Sequence, residues 1–235
     1  FNEAREWQIA SDAPGDAIIV QAVLGTEASA TSYSATFASA PTSGNTVIMV
    51  AMHRDGANAF TAPPFLSPAV LNNAAVEVDI GIWYGAADPA TSTYSISKSG
   101  GNQTGIVYLM EVAGLDTASL LNATSSNNQT GATGLIAWTG LTPTTTQYGF
   151  AVAAVGVGDN DFTNPTTASW TSSSTASYTQ RSWNQWATGN DGGLGIATAN
   201  VRNAQRQQAR LVLTTGGVEE RNSVIAVFKL ANQVT

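Results

Sequence analysis

Shifted against itself by 102 positions, the chain lays APTSGNTVIMVAMHRDGANAFTAPP (residues 40–64) over TPTTTQYGFAVAAVGVGDNDFTNPT (residues 142–166). Pro41 meets Pro143, Thr42 meets Thr144, Val50 meets Val152, Ala51 meets Ala153 and Gly56 meets Gly158. Phe60, Thr61 and Pro63 meet Phe162, Thr163 and Pro165. An internal repeat constrains a fold more than any single motif, because two similar stretches must build two similar units that can cover one another. Further on, with a larger shift, GIWYGAADPA (81–90) faces GIATANVRNA (195–204), and IVYLMEVA (106–113) faces VIAVFKLA (224–231). The halves are read as residues 30–116 and 132–231 of a single domain covering 31–235. Residues 1–30 lie outside the repeat as an N-terminal arm and a first strand.

Within each half the apolar residues recur every second position. Val76, Val78, Ile80 and Ile82 alternate with Glu77, Asp79 and Gly81, and Tyr148, Phe150, Val152 and Ala154 repeat the pattern. A period of two puts alternate side chains on opposite faces of a strand. Further strand-like runs fall at 17–24, 32–38, 46–52, 105–113, 135–140, 209–215 and 223–231, separated by turn-formers such as PTSGN, KSGGN and TGNDGG. The expected fold is therefore all-β: a two-layer, jelly-roll-like β-sandwich of two similar halves facing each other across one core. In that arrangement Glu77 and Asp79 lie on the solvent side of their strand, and His53 lies on the surface or at a strand end.

Composition narrows the function. Charged residues are 11% of the chain, so hydroxyls and amides carry its solubility, a surface suited to exposure outside cells. A net charge of -7 with only Lys98 and Lys229 as lysines argues against nucleic acid as a partner. The absence of cysteine removes disulfides, thiolate metal sites and cysteine nucleophiles. No apolar run reaches the roughly 18 residues of a membrane helix, so membrane insertion is not expected.

The first half also carries an ordered set of signals: APTSGN before an apolar strand, then WYGAADPATSTYSIS, then an apolar strand ending in MEVAGLD. Over residues 38–231 this resembles a β-sandwich domain that recurs in tailed-phage virion proteins and in secreted bacterial proteins. The family's Pro-x-x-Trp turn is altered here, with four residues between Pro165 and Trp170. The resemblance implies a capsid-decoration, tail or adhesion role.

Candidate sites follow from residue chemistry. Asp159 and Asp161 in VGDNDFTNPT could offer oxygen ligands to calcium. The 102-residue shift, however, places Ala57 and Ala59 at their positions, making the acids an addition to a repeated turn, so no metal or other cofactor is expected. Glu77 and Asp79 sit ~7 Å apart on one strand face, but a catalytic carboxylate pair normally comes from different strands across a cleft. His53 has no Gly-x-Ser-x-Gly element to serve. Trp183 and Trp186, three apart on a strand, point to opposite faces, one into the core and one towards a sugar ring or a neighbouring subunit. Arg202, Arg206 and Arg210 form either the basic face of a short helix or a solvated edge strand, suited to an acidic neighbour such as a further copy of the chain. Phe1 and Trp7 belong to FNEAREWQIASDAPGD, which is available as an arm. The expectation is a non-enzymatic structural protein on a virion surface, partnered by other virion subunits. The alternative is a carbohydrate-binding or adhesion module of a secreted protein.

Overall fold

The computed structural model describes residues 15–54, 58–73, 77–130, 136–145, 148–158, 168–172, 176–186, 192–202, 205–213 and 220–231. The strands of the first half are β1 (Ile18–Leu24), β2 (Ala28–Ala30), β3 (Ser32–Thr36), β4 (Thr46–Arg54), β5 (Phe60–Thr61), β6 (Ser67–Asn73), β7 (Val78–Ala86), β8 (Thr93–Lys98) and β9 (Gln103–Ala113). Those of the second are β10 (Leu121–Thr130), β11 (Ile136–Trp138), β12 (Gly149–Gly158), β13 (Ala168–Ser172), β14 (Thr179–Trp186), β15 (Gly192–Val201), β16 (Ala209–Leu213) and β17 (Glu220–Lys229). Among the described residues there is no helix.

The duplication is written into the strand pairing. In the first half a large sheet runs β1-β9-β4-β7-β6, with β2 extending the β1 edge, and a small sheet runs β3-β8-β5. In the second half the large sheet runs β10-β17-β12-β15-β14 and the small one β11-β16-β13. Apart from β2, the strands correspond one to one in chain order and in sheet position. Each set of eight divides five and three between its layers, because β6 and β14 pair with the strand that follows them.

The halves stack as four layers: small, large, large, small. Along β4 the residues Ile48, Val50 and Met52 face the second half and meet Phe150, Val152, Leu194, Ile196, Val224 and Phe228 in the central core. The alternate residues Val47, Met49 and Ala51 face the first half's own small sheet and pack with Tyr33, Phe37, Phe60, Trp83 and Ile96. In the second half Val155 and Val157 turn the other way, towards Leu211 and Leu213. The expected two-layer core is thus the central interface, and each half adds an outer sheet with a core of its own.

Both large sheets are consequently interior layers, which corrects the reading of β7 and of His53. Asp79 is not on a solvent face: it is fully buried, opposite the equally buried His53. Alternation of apolar and acidic residues normally separates core from water. Here it separates one core from another. His53 Nε2 lies 3.3 Å from the Asp79 carboxylate and 2.7 Å from the Asn58 carbonyl, while Nδ1 lies 2.9 Å from the Arg54 carbonyl. The ring is thus held from both sides, by the Arg54 carbonyl at Nδ1 and by the Asn58 carbonyl and the Asp79 carboxylate at Nε2. Glu77, half-buried, accepts from Arg54 at 2.8 Å.

The ladders also refine the repeat. Val50 pairs with Ile82 and Tyr108, and Val152 pairs with Thr198 and Ala226. The 102-residue shift of β4 onto β12 therefore carries β9 onto β17 as the sequence suggests, but carries β7 onto β15 two residues beyond the register of GIATANVRNA. Ile82 corresponds to Thr198, and Tyr84 to Asn200. The repeat also takes in β1 and β10, so both halves begin earlier than residues 30 and 132. At the edges of the large sheets, β1, β6, β10 and β14 each contain a register shift, whereas the ladders between interior strands contain none. Bulges of this kind twist an edge out of register with a neighbouring chain.

Candidate functional site

Two large sheets packed back to back meet at two pairs of corners, and here the pairs differ. At the first, β7 comes within 8 Å of β17, Cα to Cα, and β6 does the same with β10 and β17. Tyr84 of β7 sets its ring edge-on to Phe228 at 5.5 Å between centroids. Asn72 of β6 donates to the Asn127 carbonyl of β10 at 2.8 Å, and Asn222 of β17 donates to the Val78 carbonyl of β7. Gly156 permits the approach, since a Cβ there would stand 2.7 Å from Val78. This corner is sealed.

At the second corner the partners are β14 and β15 on one side and β1 and β9 on the other. The face of β15 that supplies Leu194 and Ile196 to the central core continues as Thr198 and Asn200, where the first half has Ile82 and Tyr84. Two apolar side chains have become polar and smaller, and the sheets leave a cleft of about 510 Å³. It is lined by Ala17, Ile19 and Phe150, by Ala176 and Ser177, by Thr179 and Arg181, by Thr198 and Asn200, and by Arg202 and Gln205. Asn200 ties β15 to the residue before β1 by accepting from the Ala17 amide at 3.2 Å and donating to its carbonyl at 3.3 Å.

Arg181 is placed by a defect in β14. Gln180 pairs with Ala197 and Ser182 with Ile196, leaving Arg181 as the extra residue of a bulge. A bulge re-aims a side chain, and this one lets Arg181 Nε donate to Thr198 Oγ1 at 2.7 Å on the cleft wall. Below it, burial pushes the Tyr108 hydroxyl pKa up, and the Arg181 charge pulls part of that rise back. At the rim, Arg202 pairs with Asp16.

The residues singled out from sequence are dispersed by the fold. Trp186 is buried in the central core, and Trp183 is half-buried against the second half's own core, its Nε1 donating to Gln185 at 3.3 Å. The two do point to opposite faces, but both faces are covered by another sheet. Arg202, Arg206 and Arg210 do not form a helix: Arg202 follows β15, Arg206 lies exposed in the connection, and Arg210 is on β16. Nor is that strand an edge, since β16 sits between β11 and β13. The Arg210 guanidinium lies 5.1 Å from the Trp138 ring centroid, a cation–π contact. Of the three, only Arg202 reaches the cleft. Phe1, Trp7, Asp159 and Asp161 lie outside the described residues.

Arg181, Thr198 and Asn200 are the cleft residues that sequence reasoning missed. Their signal was present: the alternation in LGIATAN loses its apolar partner at Thr198 and Asn200. No family model, no curated protein and no solved structure matches the chain.

Proposed function

We propose that this protein is a non-enzymatic structural component that works through protein–protein contact on the outside of a particle, for which the sequence resemblance implies a tailed-phage virion. One residue carries the reading. Pro63, Pro64, Phe65 and Leu66 form a turn closed by the Leu66 amide donating to the Pro63 carbonyl at 3.3 Å. Phe65 holds φ at 66° and is 84% exposed. A left-handed backbone costs a residue with a side chain about 1 kcal/mol, and the third position of such a turn is ordinarily glycine. An aromatic ring exposed to that degree buries little of its surface against the described residues. It is displayed as an anchor, of the kind that fills a pocket on a partner subunit. On the opposite edge of the same sheet, Ile18 and Val20 of β1 offer further exposed apolar surface.

The test is Phe65→Gly, which relieves the backbone while deleting the anchor. We expect its melting temperature to equal or exceed that of the parent, while incorporation into particles, followed by co-sedimentation and immunogold labelling, is lost. Incorporation at the parent's stoichiometry would overturn the proposal.

A further inference from the structure

We propose that the open corner between the two large sheets binds a carboxylate-bearing sugar, with Arg181 holding the carboxylate. This is independent of the assembly role, since Phe65 lies on a turn of the other half. A cleft of about 510 Å³ is of the size that takes small ligands. Its chemistry selects among them.

Arg181 is the cation aimed into the cleft. Its Nε is committed to Thr198 Oγ1, which restrains the guanidinium at the cleft wall, and its two amino nitrogens have no partner among the described residues. A guanidinium presented in this way matches a carboxylate through two parallel hydrogen bonds. The second cationic side chain, Arg202, is neutralised by Asp16 at the rim. The cleft is therefore matched to one negative charge, not to a polyanion. A protein of net charge -7 has no general attraction for anions, so the local site must supply the affinity.

The remaining polar lining is hydroxyl and amide: Ser177, Thr179 and Gln205, beside the Asn200 amide that Ala17 holds in place. Such groups both donate and accept, as ring hydroxyls require. Ile19, partly exposed on β1, adds a limited apolar surface, suited to the C–H face of a sugar ring and too small for a hydrophobic ligand; Phe150 lies buried beneath it. Tryptophan stacking plays no part: Trp183 and Trp186, on the same strand as Arg181, are engaged in the cores.

The first half supplies the control. Its equivalent positions, Ile82 and Tyr84, close the corner against β17. Asn200→Tyr restores to the second half the residue that seals the first, and Thr198→Ile restores the other.

The experiment is titration calorimetry of the full chain with two matched pairs, galacturonic acid trisaccharide against galactotriose and sialyllactose against lactose, and with inorganic phosphate. We expect at least one acidic sugar to bind about tenfold or more tightly than its neutral counterpart, the range of a charge-assisted pair. Arg181→Gln should lose that same factor, and Asn200→Tyr should abolish binding, with urea midpoints showing both folded. If Asn200→Tyr does not fold, Thr198→Ile provides the blocking variant. The proposal falls if neither acidic sugar binds in the millimolar range, if neutral and acidic sugars bind alike, or if Arg181→Gln binds as the parent does. Phosphate binding as tightly as the sugar would reduce the cleft to a general anion site and also overturn it.

Discussion

Two equivalent positions in the central strands hold His53 and Asp79 in the first half, and Val155 and Gly195 in the second. The ladders around them are the same, yet the interiors are solved differently. In the first half a buried polar pair fills the space between the large and small sheets, flanked by Tyr33 and Phe60. In the second, Gly195 leaves that space to Leu211, Trp170 and Trp183. A position at the other end of the same ladder follows suit: Glu111, fully buried, corresponds to Lys229, which reaches out to Ser119. Backbone pairing has thus outlasted the identity of the side chains it carries. A repeat of this kind is held by which faces are covered, and each half fills those faces in its own way.

Exchanging the two solutions is the most direct way to break the comparison. Gly195→Asp carries the first half's carboxylate into the second without its histidine. Its Cβ would stand 3.0 Å from Leu211 and 3.3 Å from Trp170 and Trp183, and no cation faces it from Val155 across the ladder. An overpacked, unpaired buried charge should cost about 4 kcal/mol or more, read as a collapse of the urea midpoint. A midpoint within error of the parent would show that the tryptophan cluster is loosely packed.

The reverse exchange is expected to be milder when made in pairs. His53→Val alone strands Asp79 in a dry interior and should cost roughly 3–5 kcal/mol. Adding Asp79→Gly removes the stranded charge, and the double variant should recover about 1–3 kcal/mol of coupling relative to the sum of the singles. Strict additivity in the urea cycle would mean that the two side chains do not interact.

The sequence made these differences only partly visible. The all-β class, the two halves and the central strands could be read because β4, β9, β12 and β17 are continuous apolar runs bounded by turn residues. β10 was not read as a strand, because LNATSSNNQT has almost no apolar residue to set a period; it is a strand because β17 pairs with nine of its ten residues. The interior placement of β7 was hidden for a related reason. A single sequence shows alternation without showing what lies on the polar side, and only the outer sheet made Asp79 an interior residue. The cleft was least visible: it depends on a bulge at Arg181 and on two corners closing differently, and neither leaves a local motif. Trp183 and Trp186 drew attention to the correct strand through the wrong side chains.

The last contrast, Glu111 against Lys229, should give the smallest effect and the one most sensitive to pH. Burial pushes the Glu111 pKa up, but the Thr42 amide at 2.8 Å, Asn45 at 2.5 Å and Gln21 at 2.6 Å all donate to its carboxylate, and together they hold the pKa below its ordinary value of 4.5. A carboxyl whose pKa is lowered in the folded state adds stability that is complete above its unfolded pKa and disappears as pH falls through the folded one. Glu111→Gln should therefore cost about 1.5 kcal/mol near neutral pH, the worth of hydrogen bonds to a charged acceptor. The cost should shrink as the pH drops below 4.5, where the parent loses the same charge. Lys229→Gln, at the equivalent position and partly open to water, should stay within about 0.5 kcal/mol of the parent throughout. Urea unfolding of all three proteins from neutral pH into acid reads both curves. A constant gap between Glu111→Gln and the parent would show that the lost contacts are those of shape and not of charge.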